Sequence, residues 1–395
     1  MTEAVLVLNS GSSSIKFAVY PAQDEAPPVC AGKITGIGRS PEIWARGGAP
    51  VAEFGRLAPD EPHAVLIERL VDWLGKGLRD NRLVAAGHRV VHGGREYAAP
   101  VLVDDIVMEK LGALTALAPQ HQPHNLAGMR ALAAARPGLP QVACFDTAFH
   151  RTQPRLAQLF AIPRALSDDG IIRYGFHGLS YQYIAGQLPH HAGRRAEGRI
   201  IVAHLGHGAS LCALRKRKSV ATSMGFTALD GLMMGRRPGA LDPGVVLHLL
   251  RDRGMSLDEV SDLLNLRSGL LGVSELSDDM RDLFASDDPR AREAVDLFAY
   301  RAISEIGALA AVLGGIDGLV FTAGIGEKAG AVRKRIAAGL GWLGLRLDDD
   351  ANDANAIRIS APGSAIAAFV IPTDEESVIA SDTRRLWKGL SSDGT

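Results

Sequence analysis

Two glycines separated by one residue, Gly206 and Gly208, follow an apolar run that begins at Ile200 and stops at His204. A turn of this kind exposes backbone N–H groups without side-chain bulk, and such groups can bind phosphate oxygens. The same glycine spacing is also typical of a plain hairpin between two strands. This stretch alone therefore leaves both interpretations open.

The same pattern occurs near the N-terminus. There an apolar run ends at Asn9, and a turn of glycine and serine leads into a second predicted strand. Aligning Gly11 with Gly206 brings Ser14 within one residue of Ser210. We therefore expect one architecture to be used in both halves of the chain.

A third glycine turn, TAGIGE at residues 322–327, follows the apolar run 318–321. It is predicted to open a helix whose apolar face consists of Ala329, Val332, Ile336 and Leu340. The first N–H groups of a helix lack partners and carry partial positive charge. This helix start is therefore a second kind of candidate anion site.

Polar side chains follow two further predicted strands. Arg89 and His92 lie at the end of the apolar segment 83–91, which is the edge where open α/β sheets bind their ligands. Asp146 follows the short strand 141–145, and a turn or cap carboxylate is the alternative interpretation of it. These residues are candidates for a ligand-binding edge.

Three loops have compositions that favour a functional role. The segment 118–125 carries histidines and prolines, and Asn125 is predicted to cap the helix after it. The segment 173–178, RYGFHG, is expected to face a ligand rather than the core. The segment 222–242 has no sustained period, and a loop of that length inside a compact protein is usually functional.

Hydrophobic periodicity and capping signals predict the helices. Helices are expected over 64–78, 105–117, 294–313 and, capped by Asp242, over 245–253. Thr373 and Glu376 have the spacing of a capping box. Glu376 is therefore expected to be engaged by the backbone, which leaves Glu375 as the free carboxylate.

The composition narrows the class of protein. A chain of 395 residues is long for one core, so two domains are expected. The net charge of −1 and the scattered basic residues argue against nucleic acid as a main partner. Three cysteines without CxxC spacing fit a reducing compartment, and no apolar run reaches the roughly 18 residues of a membrane span. We therefore expect a cytoplasmic protein without a membrane anchor.

Nine stretches resemble the acetate kinase family in order and spacing: LNSGSSSIKF, GHRVVHGG, FDTAFH, RYGFHG, HLGHGAS, TSMGFTALDGLMMGRRPG, SGLLGVSELSDDMRDL, FTAGIGE and PTDEE. The resemblance spans nearly the whole chain. It implies an α/β protein with two domains of duplicated ribonuclease-H-like (actin-like ATPase) fold and an active-site cleft between them. The implied N-terminal domain comprises 1–148 plus 377–395, and the implied nucleotide-binding domain comprises 149–376.

The resemblance also implies roles for individual residues. The implied catalytic residues are Arg89, Asp146, His177 and Arg237, of which the two arginines flank the transferred phosphoryl group. The implied nucleotide-binding residues are Ser12, Lys16, His204, Gly206, His207, Gly208, Asp279, Arg281, Gly324, Ile325 and Gly326. The implied acyl-pocket residues are Val91, His121, Phe176 and Ala228, and the implied metal ligands are Asn9 and Glu375.

The implied activity is reversible, direct in-line transfer of the ATP γ-phosphoryl group to acetate, giving acetyl phosphate and ADP for acetyl-CoA synthesis. The implied metal is Mg²⁺, with Mn²⁺ as a substitute, and the implied assembly is a homodimer. A carboxylate acceptor is already ionised at neutral pH and needs no general base. It does need cationic groups that relieve the repulsion between two anions, which two arginines and a metal would supply.

Several positions depart from the family pattern. His207 stands where Asn is usual, Lys328 follows the third turn in place of Asn, and Arg95 replaces a Glu. Around the acyl group, Gln120 stands where Leu is usual and Ala228 where Pro is usual. A kinase for propionate or another short acid is therefore the nearest alternative. A non-enzymatic nucleotide switch of the actin or chaperone kind shares the fold, but it does not need paired arginines.

Overall fold

The computed structural model describes residues 2–11, 13–78 and 81–392. The chain divides into two compact units. Unit 1 comprises residues 1–149 with 374–395, and unit 2 comprises residues 150–373. Among the described residues, no helix is both long and apolar enough to cross a membrane.

Unit 1 contains a mixed sheet with helices on its two faces. Its elements are β1 (Thr2–Ser10), β2 (Ser14–Pro21), β3 (Cys30–Thr35), β4 (Glu42–Arg46), α1 (His63–Gly77), β5 (Asn81–Val90), β6 (Val101–Leu102), α2 (Asp105–Ala113), α3 (Gln122–Ala135), β7 (Gln141–Phe145) and the last helix, α15 (Glu375–Ser392). The strand order in the described residues is β4-β3-β2-β1-β5-β7-β6. The predicted helix 105–117 ends at Ala113 and continues as a 3₁₀ turn to Leu117.

Apolar residues on both faces explain why β1 and β5 form the centre of this sheet. Leu6 and Leu8 pack with Ile67 and Leu70 of α1 in one hydrophobic cluster. On the other face, a Cβ atom added to Gly87 of β5 would lie 2.1 Å from the hydroxyl oxygen of Thr383 in α15. The close approach of α15 therefore requires glycine at position 87.

Unit 2 contains the second sheet, with strand order β10-β9-β8-β11-β12 in the described residues. Its elements are α4 (Arg155–Gln158), α5 (Arg164–Asp168), α6 (Gly178–Ala192), β8 (Arg199–Leu205), β9 (Ala209–Arg215), β10 (Lys218–Thr222), α7 (Pro243–Arg251), α8 (Leu257–Leu266), α9 (Gly269–Ser274), α10 (Met280–Ala285), α11 (Pro289–Leu313), β11 (Gly318–Thr322), α12 (Ala323–Lys328), α13 (Gly330–Gly339), α14 (Asp349–Asp353) and β12 (Ala367–Val370). The loop predicted over 222–242 begins one residue later, because Thr222 ends β10; the segment 223–242 forms neither helix nor strand. As predicted, Asp242 caps α7.

The two sheets repeat one topology, which confirms the predicted duplication. In unit 1, β3, β2 and β1 pair antiparallel, and β5 and β7 then continue in parallel. In unit 2, β10, β9 and β8 pair antiparallel, and β11 and β12 continue in parallel. The glycine turns join β1 to β2 and β8 to β9, so they occupy equivalent positions in the two units.

The helix predicted to open at the third glycine turn is divided in two. The helix α12 ends at Lys328, and α13 begins at Gly330. The Arg333 side chain of α13 is buried and donates hydrogen bonds of 2.9 Å to the carbonyl oxygens of Gly326 and Glu327. These carbonyls belong to the last turn of α12 and have no partner within a six-residue helix. The prediction of one continuous helix was therefore wrong.

Candidate active site

The carboxyl ends of β1, β5 and β7 form one edge of the unit 1 sheet, because these three strands run in parallel. Asn9 lies at the end of β1, and Arg89 at the end of β5. Asp146 follows β7 directly. The sheet therefore brings three of the sequence-predicted site residues to the same edge.

Arg89 and Asp146 form a two-point ion pair. The Arg89 Nη2 atom lies 2.6 Å from Asp146 Oδ2, and the Nε atom lies 3.1 Å from both carboxylate oxygens. The Asp146 side chain is only 1% exposed, and Glu375 Oε2 lies 3.8 Å from Arg89 Nε. Burial lowers the pKa of Arg89, but the two carboxylates outweigh that effect and hold the pKa above its usual value. Arg89 is therefore a permanent cation between two anionic side chains.

The oxygen atoms at this edge suit a hard divalent cation. Asn9 offers an amide oxygen and Glu375 a half-buried carboxylate at the start of α15. Mg²⁺ prefers oxygen ligands, keeps several waters and often takes only one or two protein ligands. The described residues hold no cluster of three or more His, Cys, Asp or Glu side chains fit for a metal. This edge could therefore hold a hydrated magnesium ion through Asn9 and Glu375.

The predicted capping box at the start of α15 is not formed. The Asp374 side chain accepts the hydrogen bond from the backbone N–H of Ser377 at 2.9 Å. Thr373 instead donates its backbone N–H to the Glu327 side chain at 3.2 Å. Because Asp374 is an effective N-cap, Glu376 is not needed in that role.

Asn125 connects two strands instead of capping a helix, which corrects the sequence prediction. Its Nδ2 atom donates to the carbonyl oxygen of Ser10 at 2.7 Å, and its Oδ1 atom accepts from the N–H of Val91 at 3.0 Å. The helix α3 already begins at Gln122, because Pro123 fits the first turn. Asn125 therefore holds the ends of β1 and β5 in register, a role that no local pattern could indicate.

The other predicted residues of unit 1 differ in exposure. Lys16 is exposed on β2, opposite Asn9 in the strand register. Val91 is buried, and His121 is half-buried at the start of α3. Ser12 lies outside the described residues.

In unit 2 the second and third glycine turns lie side by side. The strands β8 and β11 are parallel, and His204 pairs with Thr322. A Cβ atom added to Gly206 would lie 3.5 Å from the Cβ of Ala323, whereas one added to Gly324 would meet nothing within 4 Å. The two turns thus form one edge, and at Gly324 that edge is open to a ligand within unit 2.

Arg237 and His177 end beside the second glycine turn. A Cβ atom added to Gly208 would lie 2.9 Å from Arg237 Nη2 and 3.2 Å from His177 Nε2. Any side chain at position 208 would therefore displace one of these groups. The turn requires glycine because two cationic or polar groups approach it, not because of a positive φ angle.

Arg237 is a cation without a carboxylate partner among the described residues. Its Nη1 atom donates to the carbonyl oxygen of Ala228 at 2.7 Å. Burial lowers the pKa of Arg237 to about 10, so the guanidinium remains charged at neutral pH. A partly buried charge that only a neutral group satisfies is costly, and an anionic ligand would relieve that cost.

His177 and His204 stack face to face, with ring centroids 4.2 Å apart and planes inclined by 16°. The Nδ1 atom of His177 lies 2.8 Å from Ser210 Oγ, and the Nδ1 atom of His204 lies 2.8 Å from Ser180 Oγ. Each ring is therefore oriented by a serine hydroxyl. Neither serine was singled out as a site residue from the sequence.

His207 points towards Asp278. Its Nε2 atom lies 3.1 Å from Asp278 Oδ2, which also accepts from Arg236 Nε at 2.5 Å. Asp279 and Arg281 bind each other at 2.5 Å, and the Arg281 side chain is 89% exposed. Of the implied nucleotide-binding residues, Asp279 and Arg281 therefore form a surface ion pair in this structure.

Three remaining predicted residues lie within the packed parts of unit 2. Phe176 is buried, and its carbonyl oxygen pairs with His150 Nε2 at 2.9 Å. Ile325 and Gly326 lie in α12, where Ile325 is half-buried and Gly326 is buried.

The chain is similar to known proteins over nearly its whole length. Residues 4–381 match the Acetokinase family. The chain is 52% identical over 396 residues to an acetate kinase of Rhodopseudomonas palustris, covering 98% of this chain and 100% of that protein. It is 47% identical over 390 residues to an acetate kinase of Rhizobium meliloti, covering 97% and 98%.

Two solved structures resemble the fold along nearly the whole chain. A propionate kinase from Francisella tularensis has a TM-score of 0.90 at 36% identity, covering 97% of this chain and 99% of that one. An acetate kinase from Porphyromonas gingivalis has a TM-score of 0.85 at 34% identity, covering 97% and 99%.

Proposed function

The chain belongs to the acetokinase family, and on that premise we propose how its residues transfer the γ-phosphoryl group of ATP to acetate. The activity is that of an ATP-dependent kinase, with acetyl phosphate and ADP as products. Unit 1 supplies Arg89 and the metal ligands, and unit 2 supplies Arg237, His177 and the glycine turns. The transfer is direct and in line.

The observation that carries this proposal is the isolation of the Arg237 charge. Its guanidinium is half-buried, remains protonated and lacks a carboxylate partner among the described residues. A guanidinium binds phosphate oxygens through paired N–H groups. In a transferring phosphoryl group the charge spreads over three oxygens, so a cation fixed in advance stabilises that state.

Arg89 has a different task from Arg237. Asp146 already neutralises much of its charge and fixes its orientation through three short contacts. We assign Arg89 to the acceptor side, where it reduces the repulsion between acetate and the phosphoryl group. Acetate attacks as a carboxylate, so neither Asp146 nor His177 has to remove a proton from it.

Asn9 and Glu375 would hold the Mg²⁺ ion, with water in its other positions, and Mn²⁺ would fit the same oxygen ligands. When bound, the ion neutralises phosphate charge. The backbone N–H groups at His207 and Gly208 would bind phosphate oxygens, because glycine lets the backbone approach closely. The N–H of Gly206 instead donates to the carbonyl oxygen of Gly208 at 3.1 Å and closes the turn. The open space at Gly324 would admit the nucleotide.

Propionate is the second candidate acceptor. Ala228 stands where the family pattern has proline, and Gln120 is exposed rather than turned into an apolar wall. Both features favour a pocket with room for one additional methylene group. The proposed acyl-pocket residues are Val91 and His121 of unit 1 and Phe176 and Ala228 of unit 2.

We also propose that the enzyme is a cytoplasmic homodimer. No residue of α7 is buried, and Leu241, Val245 and Leu247 on or beside it are exposed. Leu257 at the start of α8 is 75% exposed. An apolar surface of this kind favours association with a second copy. Sedimentation equilibrium tests this: Val245→Glu with Leu247→Glu should give a monomer, and a natural protein that sediments as a monomer would contradict the proposal.

Trapping of acyl phosphate with hydroxylamine tests the function. The purified protein is supplied with ATP, Mg²⁺ and, in turn, acetate, propionate, butyrate and formate. We expect acetyl hydroxamate to form only when ATP, metal and acid are all present. ATP hydrolysis that does not depend on an acid would instead support the nucleotide switch.

A further inference from the structure

A chain of buried hydroxyl groups leads to the inner nitrogen of His177. The side chains of Tyr181 and Ser210 are both fully buried. The Tyr181 hydroxyl is hydrogen-bonded to Ser210 Oγ, and Ser210 Oγ lies 2.8 Å from His177 Nδ1. Tyr181 belongs to α6 and Ser210 to β9, so two different elements fix the hydroxyl that orients the ring.

The chemistry of the two hydroxyls favours one direction along this chain. A phenol is more acidic than an alcohol and is therefore the stronger donor. Burial holds the pKa of Tyr181 well above its usual value, so the phenol keeps its proton. If Tyr181 donates to Ser210, the single proton of Ser210 is directed to His177 Nδ1. A neutral imidazole that accepts at Nδ1 carries its proton on Nε2.

The outer nitrogen of His177 faces the second glycine turn. It lies 3.2 Å from the position that a Cβ atom of Gly208 would take, and Arg237 Nη2 lies 2.9 Å from the same position. An N–H at Nε2 would thus present a donor beside the Arg237 cation. The opposite tautomer would present a lone pair there, which repels phosphate oxygens.

We propose that Tyr181 is a positioning residue for phosphoryl transfer: through Ser210 it keeps His177 in the tautomer whose Nε2–H points to the space beside Gly208 and Arg237. The catalytic part of this inference rests on the proposed function. The tautomer of His177 is measured without turnover. A failure of the tautomer claim can therefore be distinguished from a failure of the proposed kinase function.

A second serine–histidine pair in unit 2 provides the matched control. Ser219 is buried, and its Oγ atom lies 2.9 Å from His150 Nδ1. The other nitrogen of His150 is hydrogen-bonded to the carbonyl oxygen of Phe176, so it does not face the glycine turn as His177 Nε2 does. Ser219→Ala therefore removes the same kind of buried hydrogen bond without touching His177.

The first measurement is the protonation pattern of His177 in the full-length protein labelled with [¹⁵N]histidine. Two-bond ¹H–¹⁵N correlation spectra at pH 7.5 distinguish a proton on Nδ1 from one on Nε2, and His177→Gln identifies the signals. We expect Nε2–H in the natural protein and a substantial Nδ1–H population in Tyr181→Phe and Ser210→Ala. Ser219→Ala should leave the His177 signals unchanged. A natural protein with its His177 proton on Nδ1 would overturn the inference even if neither variant folds.

The second measurement is steady-state kinetics of the same variants. Tyr181→Phe should lower kcat by about 10- to 100-fold, the range seen when the partner that orients a histidine is lost at a metal site. The KM for ATP should change by less than about twofold, because the ring stays in place and only its proton moves to the other nitrogen. Ser219→Ala should keep kcat within about twofold of the natural value. An unchanged kcat in Tyr181→Phe would overturn the inference. A natural protein without kinase activity would contradict the proposed function, and the spectra alone would then decide whether Tyr181 sets the tautomer of His177.

Discussion

The guanidinium of Arg237 donates its Nη1 hydrogen to the carbonyl oxygen of Ala228 at 2.7 Å. This bond joins the residue proposed to hold the phosphoryl group to a residue proposed to line the acyl pocket. The proposed position of the acceptor acid is therefore linked to the position of the Arg237 guanidinium through this hydrogen bond. A change in the pocket wall at residue 228 should preserve the bond only if the backbone carbonyl stays in place.

Ala228→Pro tests whether residue 228 sets the size of the pocket. Proline adds ring atoms to the wall but keeps the carbonyl that binds Arg237. We expect the natural enzyme to use propionate within about tenfold of acetate in kcat/KM, since one methylene in apolar space is worth about 1 to 3 kcal/mol. In the variant, kcat/KM for propionate should fall, whereas kcat/KM for acetate should stay close to the natural value. Equally poor use of propionate by both proteins would exclude residue 228 from the pocket.

Arg89→Ala should weaken unit 1 as well as catalysis, because it removes the cation that binds the buried carboxylate of Asp146. We expect a loss of about 1 to 3 kcal/mol in the free energy of unfolding, measured by urea denaturation. Adding Asp146→Asn should recover part of this loss, since the amide carries no charge. A fully stable Arg89→Ala protein would mean that the ion pair does not support the fold.

Acid should destabilise the protein through two buried histidines. Burial lowers the pKa of His88 and of His150 to about 4 in each case, from an ordinary value of 6.5. Below pH 6.5 these two histidines therefore bind protons in the unfolded chain but not in the folded chain. The stabilising effect of the neutral ring is fully present above pH 6.5 and is lost progressively as the pH falls to about 4.

The slope of stability against pH measures this effect. Each histidine contributes up to about 1.4 kcal/mol per pH unit between pH 6.5 and 4. Urea denaturation at several pH values should give a smaller slope for His150→Gln than for the natural protein. His190→Gln, at an exposed position, is the control and should leave the slope unchanged. A slope that is the same in all three proteins would contradict the assignment.

Glu375→Gln tests the metal ligand, with Glu376→Gln as the matched control from the same helix turn. Losing one of two protein ligands should raise the Mg²⁺ concentration for half-maximal activity by about tenfold or more. Glu376→Gln should raise this Mg²⁺ concentration much less. Activity titrations with Mg²⁺ and with Mn²⁺ at saturating ATP give both values. Equal shifts in the two variants would place the metal elsewhere.

Local sequence patterns located much of the fold and part of the site. The glycine turns were found because a buried strand, a turn and a second strand occupy consecutive residues. The duplication followed from comparing the turns at Gly11 and Gly206. The helix 64–78 was predicted because its apolar side chains recur with helical spacing, and the structure has α1 at His63–Gly77 with those side chains buried.

Contacts between distant residues could not be predicted in this way. Asn125 resembles a helix cap locally, but its partners are Ser10 and Val91 on two strands. Ser210 and Tyr181 are 29 residues apart, and neither sequence position indicates that they meet. The lack of a carboxylate beside Arg237 in the described part of the chain is likewise a property of the folded unit. These contacts are tertiary features, and the local periodicity of the sequence does not reveal them.

The most direct test of the account compares Arg237→Ala with Arg236→Ala. Both remove an arginine from the same loop, but Arg236 has Asp278 as its partner and is partly exposed. We expect Arg237→Ala to lower kcat by about a hundredfold or more while the Kd of ATP changes far less, because the cation stabilises mainly the transition state. Arg236→Ala should lower kcat by less than about fivefold, the effect of an exposed ion pair. Nearly normal turnover of Arg237→Ala would contradict the central claim that its isolated charge holds the transferring phosphoryl group.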